Sequence, residues 1–392
     1  MNKKIILGLV AYEDSADNIA YDMILALKNL YSDYVFEIYG IFGHKVRSLG
    51  YQEFANAEFL KIMGFIEPIK NLWKILSFRK RLYKFFLKKN INIFIGVDAP
   101  DFNLKLELLL KNQGIKTIHY VSPSIWAWRF KRIFYIQKAC DLVLCLFPFE
   151  QKMYEKYNIQ SHFVGHPLTK EIKKITSMTQ LQCNKIHARE KLSLKQQDKI
   201  IAIMCGSRLK EIKYLTHIFL DTMCLILQEI SVKFLLPITD NIIYNNILII
   251  IKQHSQCDLL LNNLRFIMQD SLTAMQASDA ILATSGTVTL EAMLLVKPLI
   301  VAYKLNSVIY FLLKKIVKIK YIALPNILAK KIVVKEFLQQ DVTAKILSIE
   351  LINILQKDMK ISQFTELCKL NKQLEIKDKN LVANLIMHLI KK

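Results

Sequence analysis

Asp98 ends a β-branched apolar run, residues 91–97, and is followed at once by Ala99-Pro100-Asp101-Phe102-Asn103. Proline restricts its predecessor and stops the strand, so the carboxylate projects at a sheet's carboxyl edge, where open α/β sheets take their ligands. A carboxylate so placed suits a general base that takes a proton from an attacking hydroxyl. The competing reading is structural: a hydrogen-bonding role for Asp98, with Asp101 capping the next helix. Two other segments suit an anion. Gly206-Ser207-Arg208 precedes a helix-like stretch, so a small turn offers N–H groups and the helix dipole to a phosphate, while Arg208 adds a forked cation. Thr284-Ser285-Gly286-Thr287 repeats the arrangement, and Glu291, four residues after Thr287, shares its helix face and can accept hydrogen bonds from ribose hydroxyls. Each loop alone is also what an ordinary turn or capped helix needs. Two in one domain point to a nucleotide diphosphate.

The stretch Val121-Ser122-Pro123-Ser124-Ile125-Trp126-Ala127-Trp128-Arg129 holds two of the chain's three tryptophans just after a strand. Such a loop either cradles sugar rings or acyl chains or plugs a core. Residues 59–89 interleave Ile62, Met63, Ile69, Leu72, Trp73 and Leu76 with a dense set of lysines and arginines. Basic amphipathic helices of this kind lie on anionic membranes, and the alternative is a core-facing helix with a solvated basic side. His119, His162 and His166 lack a second-ligand spacing, and the seven cysteines are dispersed and never spaced as CxxC. Neither a zinc site nor a disulfide framework is expected, and no metal or other cofactor is called for.

The elements that must carry these residues alternate. Residues 5–10, 35–39, 91–97, 117–120, 142–146 and 162–164 read as strands separated by stretches of helix period, the pattern of a parallel sheet covered by helices. A second block repeats it, with strands at 199–204, 232–236, 264–268, 280–283 and 299–303. The expected organisation is α/β, two doubly wound Rossmann-like domains at 1–168 and 199–341. A linker is expected at 169–198 and C-terminal bracing helices at 342–392. Only ten glycines occur in 392 residues, so Gly206 and Gly286, each between a strand and a helix, carry information. Hydrophobic residues at 53% against 22% charged exclude a disordered chain. The formal charge of +22 favours an anionic partner or reflects compositional drift in a chain rich in Ile, Lys and Asn. No nucleic-acid-binding signature accompanies it. The opening Lys3-Lys4 and apolar run lack a cleavage site, and no run reaches the roughly 18 residues of a membrane span. The expected location is cytoplasmic, with membrane contact only at the surface.

Taken together, these segments resemble lipid-A-disaccharide synthases over residues 5–340. The resemblance is carried by Asp98 to Asn103, Tyr120 to Arg129, Gly206-Ser207-Arg208, Thr284 to Thr287 with Glu291, and Leu324-Pro325-Asn326. It implies a GT-B fold in which the C-terminal domain holds the UDP-sugar. It also implies an inverting, metal-independent reaction. In it the 6-hydroxyl of 2,3-diacylglucosamine 1-phosphate attacks UDP-2,3-diacylglucosamine, giving a β-1,6-linked disaccharide 1-phosphate and UDP. By the same resemblance Asp98 is the base, Arg208 contacts the diphosphate, and Glu291 and Asn326 hold the nucleotide together with Gly206, Ser207, Ser285, Gly286 and Thr287. Glu13, Ser15, Asp17, Asn103, Ser122 and Trp126 fall on the acceptor side, and the enzyme works as a peripheral protein on the inner face of the inner membrane. The resemblance also implies a homodimer as a partner state. A GT-B UDP-GlcNAc transferase or epimerase acting on another substrate and a membrane-associated remnant of reduced activity are the rival readings. Two departures stand out. The family's Gly-Glu-x-Ser-Gly-Asp loop reads Tyr12-Glu13-Asp14-Ser15-Ala16-Asp17, and Cys205 replaces the proline before the Gly-Ser-Arg turn.

Overall fold

The computed structural model describes residues 3–57, 60, 72–206, 208–306, 310–311, 320–356 and 361–391. Its strands form two sheets. The first contains β1 (Lys3–Ala11), β2 (Tyr34–Phe42), β3 (Ile93–Val97), β4 (Lys116–Tyr120), β5 (Leu142–Cys145) and β6 (Ser161–Phe163) in the order β2-β1-β3-β4-β5-β6. The second contains β7 (Ile200–Met204), β8 (Lys233–Ile238), β9 (Leu264–Met268), β10 (Ala280–Ala283), β11 (Leu299–Tyr303) and β12 (Lys335–Leu338) in the order β12-β11-β10-β7-β8-β9. Every pairing is parallel. Parallel strands are covered on both faces, which is why these segments read as continuous apolar runs.

The first sheet sorts its side chains with period two. Leu7, Leu9, Ile93 and Ile95 pack with Ile24 and Leu27 of helix Asp14–Leu30 and Ile386 of helix Leu381–Lys391. Val10 and Phe94 face the other way, onto Phe78, Leu82 and Phe86 of helix Leu72–Lys89 and Phe102 and Leu106 of helix Pro100–Lys111. In each sheet the strand order reverses once, between β1 and β3 in the first and between β7 and β10 in the second. Loops leaving the carboxyl ends on either side of such a switch point diverge to opposite faces and open a crevice.

Two compact units result, Met1–Pro167 with Leu374–Lys392, and Leu168–Gln373. The stretch expected as a linker, 169–198, folds into the second unit. Its helix Met178–Lys191 is pinned by Arg189, which is fully buried, donates to the Ala277 carbonyl at 2.9 Å and pairs with Asp279 at 2.8 Å. A buried, paired arginine looks like solvated mixed charge in sequence. The expected C-terminal helices divide between the units. Helices Ala344–Gln356 and Ile361–Gln373 belong to the second, whereas Leu381–Lys391 returns to helix Asp14–Leu30 of the first. Strand β12 is an addition: Lys335-Glu336-Phe337-Leu338 sits at a sheet edge, only partly buried, and carries no apolar run to announce it.

Candidate functional site

In the second unit, Met204 of β7 pairs with Ala283 of β10, so the segments after both strands leave the sheet side by side at its switch point. Each leads into a helix, Leu209–Glu229 and Thr287–Leu294, whose start has no side-chain cap. Helices Met178–Lys191, Asn241–Lys252 and Ser271–Ala277 of the same unit are capped by Ser177, Asp240 and Asp270. An uncapped start leaves N–H groups and the positive end of the dipole for an anion. Gly206 has φ +97°, a conformation that favours glycine, and a Cβ there would also force the Glu211 carboxylate to move. Glu211 also accepts from Arg208 Nη1 at 3.2 Å, while the Arg208 side chain stays 78% exposed. Tyr303, at the end of β11, is held above its ordinary pKa by burial and the charge of Glu211, and so stays a neutral phenol. Cys205, where a proline was expected, is buried, and burial pushes its thiol up to about 12. Ser207 lies outside the described residues.

The other loop is bolted from behind. Ser285 Oγ donates to the Ile322 carbonyl at 3.0 Å, and Thr289 Oγ1 donates to the Gly286 carbonyl at 2.8 Å and accepts from Leu324 N at 3.2 Å. Thr287 and Gly286 are exposed at the helix start, and a Cβ on Gly286 would meet nothing. Glu291, one turn on, is half-buried, and burial and the nearby Glu171 raise its pKa. Hydroxyl donors would relieve that carboxylate. Asn326 is different from expectation. Its Nδ2 donates to the Val334 carbonyl (2.8 Å) and Glu336 Oε1 (2.7 Å), and its Oδ1 accepts from Val333 N (2.7 Å) and Val334 N (3.0 Å). An amide has no further capacity, so Asn326 shapes the loop instead of grasping a ligand. Glu336, unnoticed in sequence, accepts in addition from Ile322 N and Ala323 N at 3.0 and 2.9 Å.

The first unit's switch point brings Asp98 and the Glu13–Asp17 segment to neighbouring strands. Asp98 and Ala99 have φ +56° and +44°, and beyond β4 the β-branched Val121 has φ +75°. Left-handed backbone is costly for such residues and tends to mark sites where geometry serves function. Asn103 holds the turn: it is fully buried, and its Nδ2 donates to the Asp98 carbonyl at 2.8 Å. Asp98 N donates to the Tyr120 carbonyl, and Asp98 Oδ1 accepts from Ala99 N, both at 2.8 Å, which orients the half-buried carboxylate. Asp101 does not cap its helix; it pairs with Arg132 and Arg129 and ties the tryptophan loop to this turn.

Glu13 and exposed Ser15 stand at the start of helix Asp14–Leu30, again without a side-chain cap. Asp17 is buried and committed to the chain, accepting from Gly43 N (2.9 Å), Lys45 N (2.8 Å) and Val46 N (3.3 Å). Tyr12 packs edge-on to Phe102 at 6.4 Å, its phenol kept neutral by burial and by the charges of Glu13 and Asp98. In the tryptophan loop Ser122 Oγ lies 3.0 Å from the Tyr154 hydroxyl and Trp126 Nε1 donates to Glu150 at 3.3 Å. Glu150 is the residue sequence reasoning missed here. Its Oε2 accepts from Phe147 N at 3.1 Å, and burial raises its pKa to about 8. The signal was Phe147-Pro148-Phe149-Glu150, a proline at the first helical position with glutamate two further on.

On the expected membrane segment, Ile62, Met63 and Ile69 lie outside the described residues, as does the side chain of Leu72. Helix Leu72–Lys89 buries Phe78, Leu82 and Phe86 as its core stripe and leaves Trp73 82% and Leu76 37% exposed. Among the described residues no helix is long and apolar enough to cross a membrane, and no cluster of His, Cys, Asp or Glu is arranged to hold a metal.

UDP-GlcNAc 2-epimerase from Neisseria meningitidis, solved with UDP-GlcNAc, superposes on the whole chain with a TM-score of 0.59 at 14% identity, covering 100% of both chains. MurG from Acinetobacter baumannii gives 0.52 at 13% identity, covering 98% of this chain and 99% of its own. Such likenesses show the fold, a two-domain GT-B architecture. The lipid-A-disaccharide synthase of Vibrio campbellii is 38% identical over 371 residues, 94% of each chain. The model of the lipid-A-disaccharide synthetase family matches residues 7–390. A match of that length, on a GT-B frame whose two switch points carry the expected loops, means that the chain belongs to the lipid-A-disaccharide synthase family and is a glycosyltransferase forming the lipid A disaccharide.

Proposed function

We propose that the enzyme joins UDP-2,3-diacylglucosamine to 2,3-diacylglucosamine 1-phosphate with inversion, and that its two switch points divide the work. The observation that carries this is the pair of uncapped helix starts on neighbouring strands β7 and β10. They suit the donor diphosphate, with Arg208 as the cation and Glu291 on the ribose hydroxyls. Gly206, Ser207, Ser285, Gly286 and Thr287 line that half, and Asn326 acts through Glu336 and the Ile322–Leu324 backbone.

Asp98 takes the proton of the acceptor 6-hydroxyl as its oxygen bonds to the anomeric carbon. The bond from that carbon to UDP breaks, and its electron pair leaves on the β-phosphate. Helix-start N–H groups and Arg208 meet the developing charge without a metal. Glu13, Ser15 and Trp126 contact the acceptor, while Ser122, buried against the Tyr154 hydroxyl, and Asn103 and Asp17 hold the loops that present it. Both substrates carry acyl chains, so they are collected at a membrane surface. The exposed Trp73 and the lysine-rich outer face of helix Leu72–Lys89 support docking of residues 59–89 on anionic lipid, with the protein peripheral on the inner membrane.

The test is to incubate purified protein with both acylated sugars in EDTA and to identify the product by mass spectrometry and NMR. A β-1,6-linked disaccharide 1-phosphate with stoichiometric UDP is expected. Epimerised donor, or no disaccharide without added metal, would overturn the reading.

A further inference from the structure

We propose that Trp128, Phe130 and Phe134 form a second lipid-contacting surface, in the same helix layer as Leu72–Lys89, that settles on an anionic bilayer. The proposal rests on the membrane reading above and widens it. From β2 through β6 the chain advances in one direction across the first sheet, so right-handed crossovers place helices Leu72–Lys89, Pro100–Lys111 and Ile133–Ala139 on one face. Their packing agrees. The Arg79 guanidinium lies 5.5 Å over the Phe102 ring, joining helix Leu72–Lys89 to Pro100–Lys111, and Leu104 joins the latter to Ile133 and Ile136 of helix Ile133–Ala139. They therefore form a single layer.

Ile133, Ile136 and Ala139 already give helix Ile133–Ala139 its core contacts, all fully buried. Phe134, 53% exposed, is surplus to that packing, as are Phe130 at 41% and Trp128 at 46%. Phe130 and Phe134 pack edge-to-face with Tyr157 at 5.5 and 5.8 Å between ring centres, so these three rings form one aromatic group. Arg129 lies 4.0 Å over Trp128 and, with Arg132, is partly neutralised by Asp101. Lys131 and Lys138 are exposed among the rings. Rings that enter the boundary between head groups and acyl chains, beside lysines that reach the phosphates, match an anionic membrane. The surface adjoins the tryptophan loop, so an acyl chain leaving the bilayer there has a short path to the acceptor side.

The test uses vesicles of phosphatidylcholine and phosphatidylglycerol carrying acyl-brominated lipid, with wild-type full-length protein, Trp73→Phe and Trp128→Phe. Wild-type tryptophan emission is expected to be quenched, and each substitution to remove part of the quenched signal. A Phe130→Ser, Phe134→Ser double variant with an unchanged thermal midpoint should lose about tenfold in vesicle partitioning, given the area the two rings expose. If only Trp73→Phe reduces quenching and the double variant partitions normally, the second surface is overturned while docking by residues 59–89 stands. If wild type is not quenched at all, both fall. Equal binding to neutral vesicles would also overturn the proposal.

Discussion

At the second sheet's switch point the chain leaves two helix starts uncapped, puts glycine where φ is +97°, and exposes Arg208. At the first, it forces side-chain-bearing Asp98 and Ala99 to φ +56° and +44° and holds them with a buried asparagine, while buried Glu150 fastens the tryptophan loop. On the proposed division of labour, the difference follows from what each half must do. A diphosphate needs N–H groups and positive charge, which relaxed backbone supplies. A base needs one carboxylate oxygen in one place, which requires fixed geometry held by buried polar groups.

The comparison is broken most strongly through two buried ionisable groups, one in each unit, whose pH effects run oppositely. Glu150 keeps its proton to about pH 8 in the folded chain and loses it near 4.5 when unfolded. The folded state then binds more protons, and stability falls as pH rises through that window. Lys297 is buried, donates to the Ser278 carbonyl at 2.8 Å, and has its pKa lowered to about 7 by burial. Unfolded, it holds its proton to 10.5, so stability rises between about pH 7 and 10.5. Each effect is on the order of a few kcal/mol. Denaturant titrations across pH should show Glu150→Gln removing the fall and Lys297→Met removing the rise; unchanged slopes would refute these environments. Glu150→Gln should also keep turnover, since it mimics the protonated acid, whereas Glu150→Ala should raise acceptor KM by freeing Trp126.

A smaller effect is expected at the half proposed to hold the nucleotide. Arg208→Ala should weaken UDP binding about 10–100-fold, the range of a charge-assisted hydrogen bond, measured by calorimetry in EDTA with no change in thermal stability. Smaller still, Ala99→Gly should relieve left-handed strain and stabilise the first unit by about 1 kcal/mol in urea denaturation. It should lower turnover several-fold as the Asp98 turn loosens. A destabilised Ala99→Gly protein would show that the turn carries no strain.

The sequence made the frame readable because buried parallel strands are written as apolar runs. Among the described strands only β12, partly exposed at an edge, escaped. The site was less even. Asp98 and Gly206 announce themselves through Pro100 and through glycine scarcity, local signals that need no tertiary contact. Asn326, Asp17 and Asn103 were read as ligand-facing, yet Asn326 and Asp17 are committed to backbone brought in by the fold, Val333 and Val334 and Gly43 to Val46, and Asn103 gives its Nδ2 to the Asp98 carbonyl while its buried Oδ1 accepts from no described residue. Polar side chains that build a loop and those that use it have the same letters. Arg189 misled in the same way, its burial set by Asp279, ninety positions away.

Turnover and UDP affinity measured together in Asp98→Asn test the division of labour most directly. The variant keeps the side chain's size and its bond from Ala99 N but cannot accept a proton at neutral pH, so turnover should fall by about 10²–10⁴-fold while the UDP dissociation constant stays at the wild-type value. Near-normal turnover in a folded Asp98→Asn protein, or a parallel loss of UDP affinity, would contradict it.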